Sequence, residues 1–118
     1  MPKPKGAGDL RQRVRFERRG AGTDADGNAV AAWTDLGISR ACALAPTRGG
    51  EEVQAGRIAG RASWDCWVRS DSGTRTIQPG DRAVNTRTGE TFNIAFVGDM
   101  DGGRTWLLIQ MTSGGVDG

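Results

Sequence analysis

The stretch Leu10-Arg11-Gln12-Arg13-Val14-Arg15-Phe16-Glu17-Arg18 alternates apolar with charged and polar residues. Leu10, Val14 and Phe16 fall on one face, and Arg11, Arg13, Arg15 and Glu17 on the other. A period of two is the signature of a strand with one face in a core and the other in water. Gly20 to Asn28 follows, rich in glycine and aspartate, and its Asp26-Gly27 pair is a strong hairpin signal. Val30 to Leu36, carrying Trp33, reads as the returning strand. Ile38 to Ala45 reads as a third, small and apolar, stopped by Pro46.

The same alternation resumes further on. In Ala62-Ser63-Trp64-Asp65-Cys66-Trp67-Val68-Arg69, Trp64, Cys66 and Val68 share one face. Trp67 lies opposite them among Ser63, Asp65 and Arg69, as a rim or interface residue would. Asp71-Ser72-Gly73 and Pro79-Gly80-Asp81 are corners. Arg82 to Asn85 and Thr91 to Val97 flank a hairpin at Thr86-Arg87-Thr88-Gly89-Glu90, with Phe92, Ile94 and Phe96 expected inward. The last strand, Arg104 to Met111, has large apolar residues on both faces and is expected in a central position.

About seven short antiparallel strands separated by turn signals predict an all-β chain, a small barrel or sandwich. The expected organisation is one domain over 10–111, a flexible basic arm over 1–9 and a flexible tail over 112–118. Its 118 residues suffice for one core that needs no staples. The 19 glycines, about twice the usual share, fit a chain with many turns.

One segment breaks the pattern. Thr47 to Gly60 contains Arg48, Gly49, Gly50, Glu51, Glu52, Val53, Gln54, Ala55, Gly56, Arg57 and Ile58, and only Val53 and Ile58 are sizeable apolar residues. A short helix around Glu51–Ala55 would place its acids at the favourable end of the dipole. A long, polar, glycine-rich insertion between strands three and four reads as a functional loop rather than a connector.

Composition removes most chemistry. The chain has no histidine, which excludes Ser-His-Asp and Cys-His machinery and histidine metal sites. Cys42 and Cys66 cannot complete a zinc site alone; they read as two buried thiols, or as one disulfide if their strands adjoin. Asp24-Ala25-Asp26-Gly27-Asn28 has its glycine two places early for a calcium loop. Glu51-Glu52 diverge on a helix, and no glycine run has phosphate-loop spacing. No enzyme and no cofactor are therefore expected. No apolar run is long enough to span a bilayer, and the basic start, Met1-Pro2-Lys3-Pro4-Lys5, does not read as a secretory signal. A membrane is not an expected partner, and the chain reads as a soluble cytoplasmic protein.

The net charge of +2 conceals a split: residues 1–19 carry a surplus of five positive charges, and the other 99 a surplus of three negative. Lys3, Lys5, Arg11, Arg13 and Arg15 could meet phosphate, form a solvated strand face, or serve a head-to-tail contact between copies. With Trp67 free to stack, a single-stranded nucleic-acid-binding barrel is an alternative reading.

The order of elements resembles the head–tail joining proteins of long-tailed bacteriophages, also called head-completion or stopper proteins, which occur too in gene transfer agents. Residues Ala7-Gly8-Asp9-Leu10-Arg11-Gln12-Arg13-Val14 match the lead into the first strand, and Asp26-Gly27-Asn28 with Trp33-Thr34-Asp35 match its hairpin. Ala43-Leu44-Ala45-Pro46 and Gly50-Glu51-Glu52-Val53-Gln54-Ala55-Gly56-Arg57 follow, then Pro79-Gly80-Asp81-Arg82, Phe92-Asn93-Ile94 and Asp101-Gly102-Gly103-Arg104-Thr105-Trp106-Leu107. The resemblance covers roughly residues 7–109, by order and spacing rather than by any one motif. Phe92 stands where tyrosine is common.

The resemblance implies a structural virion role. Such proteins form a ring of six or twelve copies below the portal and its adaptor. The ring closes the exit channel on packaged double-stranded DNA and offers a docking surface to a tail terminator or tail tube protein. Arg48 to Ile58 carries over as the channel-facing or inter-subunit loop. Lys3, Lys5, Arg11, Arg13, Arg15 and Trp67 would then meet the adaptor or a neighbouring copy. A tail-terminator or tail-completion ring is the nearest alternative.

Overall fold

A computed structural model describes residues 4, 6–23, 25–47, 62–99, 102 and 105–113. Six strands lie among them: β1 (Gln12–Thr23), β2 (Ala29–Pro46), β3 (Ala62–Arg69), β4 (Arg82–Asn85), β5 (Thr91–Gly98) and β6 (Trp106–Ser113). Single turns of 3-10 helix stand at Ala7–Asp9 and Thr74–Thr76. All pairings are antiparallel, and the order β1-β2-β3-β6-β5-β4 closes into a barrel where β4 returns to β1. Closure explains how a chain this short encloses a core: each inward side chain is covered from every side, and no strand within the closed ring is left at an edge.

The interior takes the residues that alternation assigns to it. Val14, Phe16, Cys66, Val68, Phe92 and Ile94 are buried together with Cys42, Leu107, Ile109 and Met111. Trp64 closes over them, its ring meeting Phe92 edge-on at 6.0 Å while its Nε1 donates to Ser113 Oγ. β6 is central, paired to β3 on one side and β5 on the other.

Three expectations are corrected. The strands read over 30–36 and 38–45 are one strand, β2. Opposite Phe16 the register jumps from Arg15↔Ser39 to Glu17↔Asp35, so β2 bulges without ending. Gly37 supplies the bend at φ +74°, a conformation that favours glycine, and its N–H donates to Asp35 Oδ1 at 2.8 Å.

Phe96 points outward. The pairs Ile94↔Met111 and Phe96↔Gln110 leave Ala95 as an extra residue, and this bulge reverses the facing of everything after it. Phe96 is 40% exposed, and its ring lies over Gly98, where a Cβ would sit 2.5 Å from a ring carbon.

Leu10 leaves the face of Val14 and Phe16. It precedes β1 and packs instead on a second cluster outside the barrel. The short helix expected at Glu51–Ala55 lies outside the described residues.

Candidate assembly surfaces

The register divides the barrel into two ends. At one, Gln12 lies opposite Cys42, Ala62 opposite Ser113, and Pro46 opposite Trp64. The approach to β1, the two anchors of segment 48–61 and the exit from β6 therefore share this end, with the β4–β5 turn. The other end carries the β1–β2 hairpin, the 70–81 connection and the β5–β6 turn. Segment 48–58 and Lys3 and Lys5, expected to face the channel and the adaptor, lie outside the described residues. Their attachment points are nonetheless fixed: Thr47 N–H donates to Ser63 O at 2.9 Å, and Thr47 Oγ1 to Asp65 Oδ1 at 2.9 Å.

The arginines of β1 are largely committed within the chain. Arg13 donates to Ser39 Oγ at 3.0 Å, and Arg15 pairs with Glu17. Glu17 also accepts from Arg82 Nε across the β1–β4 seam. Burial pushes the Glu17 carboxyl up, but hydrogen bonds from Arg15 and Arg82 outweigh it and hold the group below its ordinary range. Arg18 forks onto Asp81 with both contacts at 3.0 Å, and Asp81 is itself buried. Of the basic residues expected to meet a partner, only Arg11 is exposed with neither an ion pair nor a side-chain hydrogen bond among the described residues. It lines a cleft of about 400 Å³ with Asp9, Gln12, Cys42, Ala43 and Leu44, where β1 begins beside β2.

Trp67 is not free to stack: it is only 7% exposed. It packs with Ala43, Trp106, Leu108 and Leu10 in the cluster outside the barrel, and its Nε1 has no hydrogen-bond partner among the described residues. The guanidinium of Arg69 stands 4.6 Å from the Trp106 ring centroid. The main support for a base-stacking barrel is thereby removed. Trp33, whose apolar context suggests a core position, stands instead on the outer face under Arg82, 4.3 Å from ring centroid to guanidinium carbon.

Asp71 joins the 70–81 connection to β2. It accepts from Arg40 Nε at 2.8 Å and from Thr74 N–H at 2.8 Å. The Arg40 hydrogen bond is the main reason its carboxyl is held down to about 2, against the opposing effect of burial.

Cys42 and Cys66 are buried free thiols on the adjoining strands β2 and β3. A hydrogen bond with Cys42 and then burial push the Cys66 thiol well up. Among the described residues no three His, Cys, Asp or Glu side chains are placed to hold a metal ion, and no helix is long and apolar enough to cross a membrane. What the surface offers is contact chemistry: a cleft lined by the exposed Arg11 guanidinium, the exposed Phe96, and a strand hairpin standing clear of the barrel among the described residues.

The family model for phage head completion proteins matches residues 6–114. The chain belongs to that family. It is a structural virion protein of the phage head–tail region, as the order of its motifs leads one to expect. Among solved structures, it is similar to the solution structure of protein SF1141 from Shigella flexneri 2a, with a TM-score of 0.63 and 20% identity over 94% of this chain and 98% of that one. It is also similar to a chain of the virion of a native gene transfer agent particle, with a TM-score of 0.59 and 19% identity over 91% and 96%. These likenesses show the shared fold. No curated protein matches by sequence.

Within this family frame, several contact residues escape a reading by alternation. Phe96 and Leu10 carry no sign of their bulge or their departure from the strand. The Glu17–Arg82–Trp33 group joins the β1–β2 hairpin to β4, which is distant in sequence. The pairing of Arg18 with Asp81 had one clue, a lone aspartate after Pro79-Gly80 in a corner otherwise without acids.

Proposed function

We propose that this chain is the ring-forming subunit that closes the head after DNA packaging and receives the tail. Six or twelve copies stand below the portal and its adaptor, and segment 48–58 lines the channel and holds back the double-stranded DNA. The opposite surface docks a tail terminator or tail tube protein. The observation that carries this reading is the family match, which spans the barrel and segment 48–58 together.

Two features support it. Segment 48–61 is anchored at Thr47 and Ala62 by a rigid ladder, so force on it passes into the barrel. The approach to β1 lies at the same end, so an arm reaching the adaptor through Lys3, Lys5 and Arg11 would leave from the end that also carries the channel segment. Arg13 and Arg15 act within the subunit, and the adaptor contact narrows to the other three.

The test is deletion of residues 50–59 in the particle that encodes this chain. The variant is expected to keep the β-sheet circular dichroism of the parent and to yield heads that lose DNA or lack tails. Intact, infectious particles in normal numbers would overturn the channel assignment.

A further inference from the structure

The β1–β2 hairpin outruns the barrel. β1 meets β4 only from Val14 to Glu17, and β2 meets β3 only from Ala43 to Pro46. From Arg18↔Thr34 to Thr23↔Ala29 the two strands pair with each other in unbroken register and, among the described residues, with no other strand. The result is a two-stranded ribbon with two open edges, each a row of main-chain donors and acceptors. Among the described residues it contributes no buried side chain between positions 20 and 36.

Such a ribbon is marginal in water by itself. Native proteins guard open edges with lysine, proline or a bulge. Here Gly20-Ala21-Gly22-Thr23 and Ala29-Val30-Ala31-Ala32 carry no charge and no proline, and the register between them has no bulge. Both edges are left fit for strand pairing.

We infer that the ribbon is a strand-pairing surface between subunits, and that its occupant is the same ribbon on a second copy of this chain. The β1 edge over 18–23 of one copy pairs with the β2 edge over 29–34 of the next. Because β1 and β2 run antiparallel within a chain, copies standing side by side in one orientation present each other with antiparallel edges. The pairing then repeats the pattern already present within each ribbon. Two unlike edges meet, so the contact is heterologous and generates a ring when the rotation closes. Main-chain hydrogen bonds supply the attraction.

Charge sets the same order at the root of the ribbon. Arg19 on β1 is exposed with no carboxylate among the described residues, whereas Asp35 on β2 is 55% exposed and only 3.9 Å from Arg15. A β1 edge beside a neighbour's β2 edge brings opposite charges together. This inference rests on the ring reading above and names the surface that joins its members.

Cross-linking tests it. Gly20→Cys and Ala32→Cys are made as separate full-length chains and co-expressed in the producing host. A Cβ at Gly20 meets nothing closer than Ala32 O at 3.8 Å, so the substitution is accommodated. Gly22→Cys with Ala32→Cys covers a register offset of two. In purified particles under mild oxidation, a mixed pair is expected to move variant chains to a two-chain band that collapses on reduction. Each variant alone is expected to stay in the one-chain band.

Cross-linking of a single variant with itself would overturn the unlike-edge pairing. Absence of cross-links from both mixtures, in particles shown by mass measurement to hold several copies, would overturn this inference and leave the ring standing. A single copy per particle would overturn both.

Discussion

The guanidinium of Arg82 lies 4.3 Å from the centroid of the Trp33 ring. The same group donates to Glu17, so β4, β1 and the root of the hairpin on β2 are clasped on the outer face at one point. Glu17 is the centre of this group, buried between Arg82 and Arg15. Glu17→Gln removes the charge and leaves both guanidiniums facing a neutral amide. The expected cost is about 3 kcal/mol, as for breaking a buried pair from one side. Trp33→Ala is expected to cost about 1 kcal/mol. Urea unfolding midpoints of the two variants check the order.

Acid should weaken the 70–81 connection over a defined range. The Asp71 carboxyl, held at about 2 by Arg40, is charged in the folded chain where an unfolded one would already be taking up its proton. A depressed folded value means that the stabilisation is fully present above about pH 4 and is lost as the pH falls towards 2. Both partners are about a third exposed, so water screens the pair and the effect stays below about 1 kcal/mol. Melting temperatures of the parent and of Asp71→Asn, followed from pH 6 to pH 2, are expected to differ at the upper end and to converge at the lower.

Neither thiol should react in the folded protein. Cys42 and Cys66 are fully buried, and the Cys66 thiol is raised well above its ordinary value. A low thiolate population combined with no access gives an inert pair. An aromatic disulfide reagent at neutral pH is expected to titrate no thiol in buffer and two in guanidinium chloride. Rapid labelling in buffer would show that β2 and β3 part easily.

Trp67→Phe should be tolerated unusually well for a large buried residue. The indole Nε1 is buried without a partner among the described residues, and an unsatisfied donor of this kind costs about 1–3 kcal/mol. Phenylalanine removes it while keeping most of the contact with Trp106 and Leu108. The variant is expected to unfold within about 1 kcal/mol of the parent, whereas Trp67→Ala loses about 3 kcal/mol or more. Equal losses in the two variants would mean that the donor is satisfied in solution.

The sequence was most legible where period two ran unbroken. The inward positions of β1 from Val14 and of β3 follow from alternation alone, because each strand there keeps one pleat against the core, whereas β6 is apolar on both pleats and alternation does not choose between them. It was least legible where a strand changes pleat. Gly37 and Ala95 each shift the ladder, and nothing in Leu36-Gly37-Ile38 or Ala95-Phe96 distinguishes a bulge from a break or from continued alternation. Trp67 misleads for a different reason. Its strand neighbours are polar, and the cover it receives comes from Leu10, Trp106 and Leu108, the last two brought to it only by the pairing of β3 with the distant β6. Charge misleads likewise: Arg13, Arg15 and Arg18 look available until Ser39, Glu17 and Asp81 are placed beside them. Segment 48–58 stood apart by its want of period two, and it lies outside the described residues.

The seam between β1 and β4 has a consequence for how subunits are supplied. It joins residues 65 to 71 positions apart, from Glu17↔Arg82 to Val14↔Asn85. The β1–β2 hairpin can form within microseconds of synthesis, but the seam waits for a distant strand and for the loop closure that goes with it. A nascent chain therefore carries Val14 and Phe16 uncovered until nearly three quarters of its length has been made. The rate at which folded chains are supplied is then governed by late barrel closure, and crowded synthesis places its aggregation risk on that half-built intermediate.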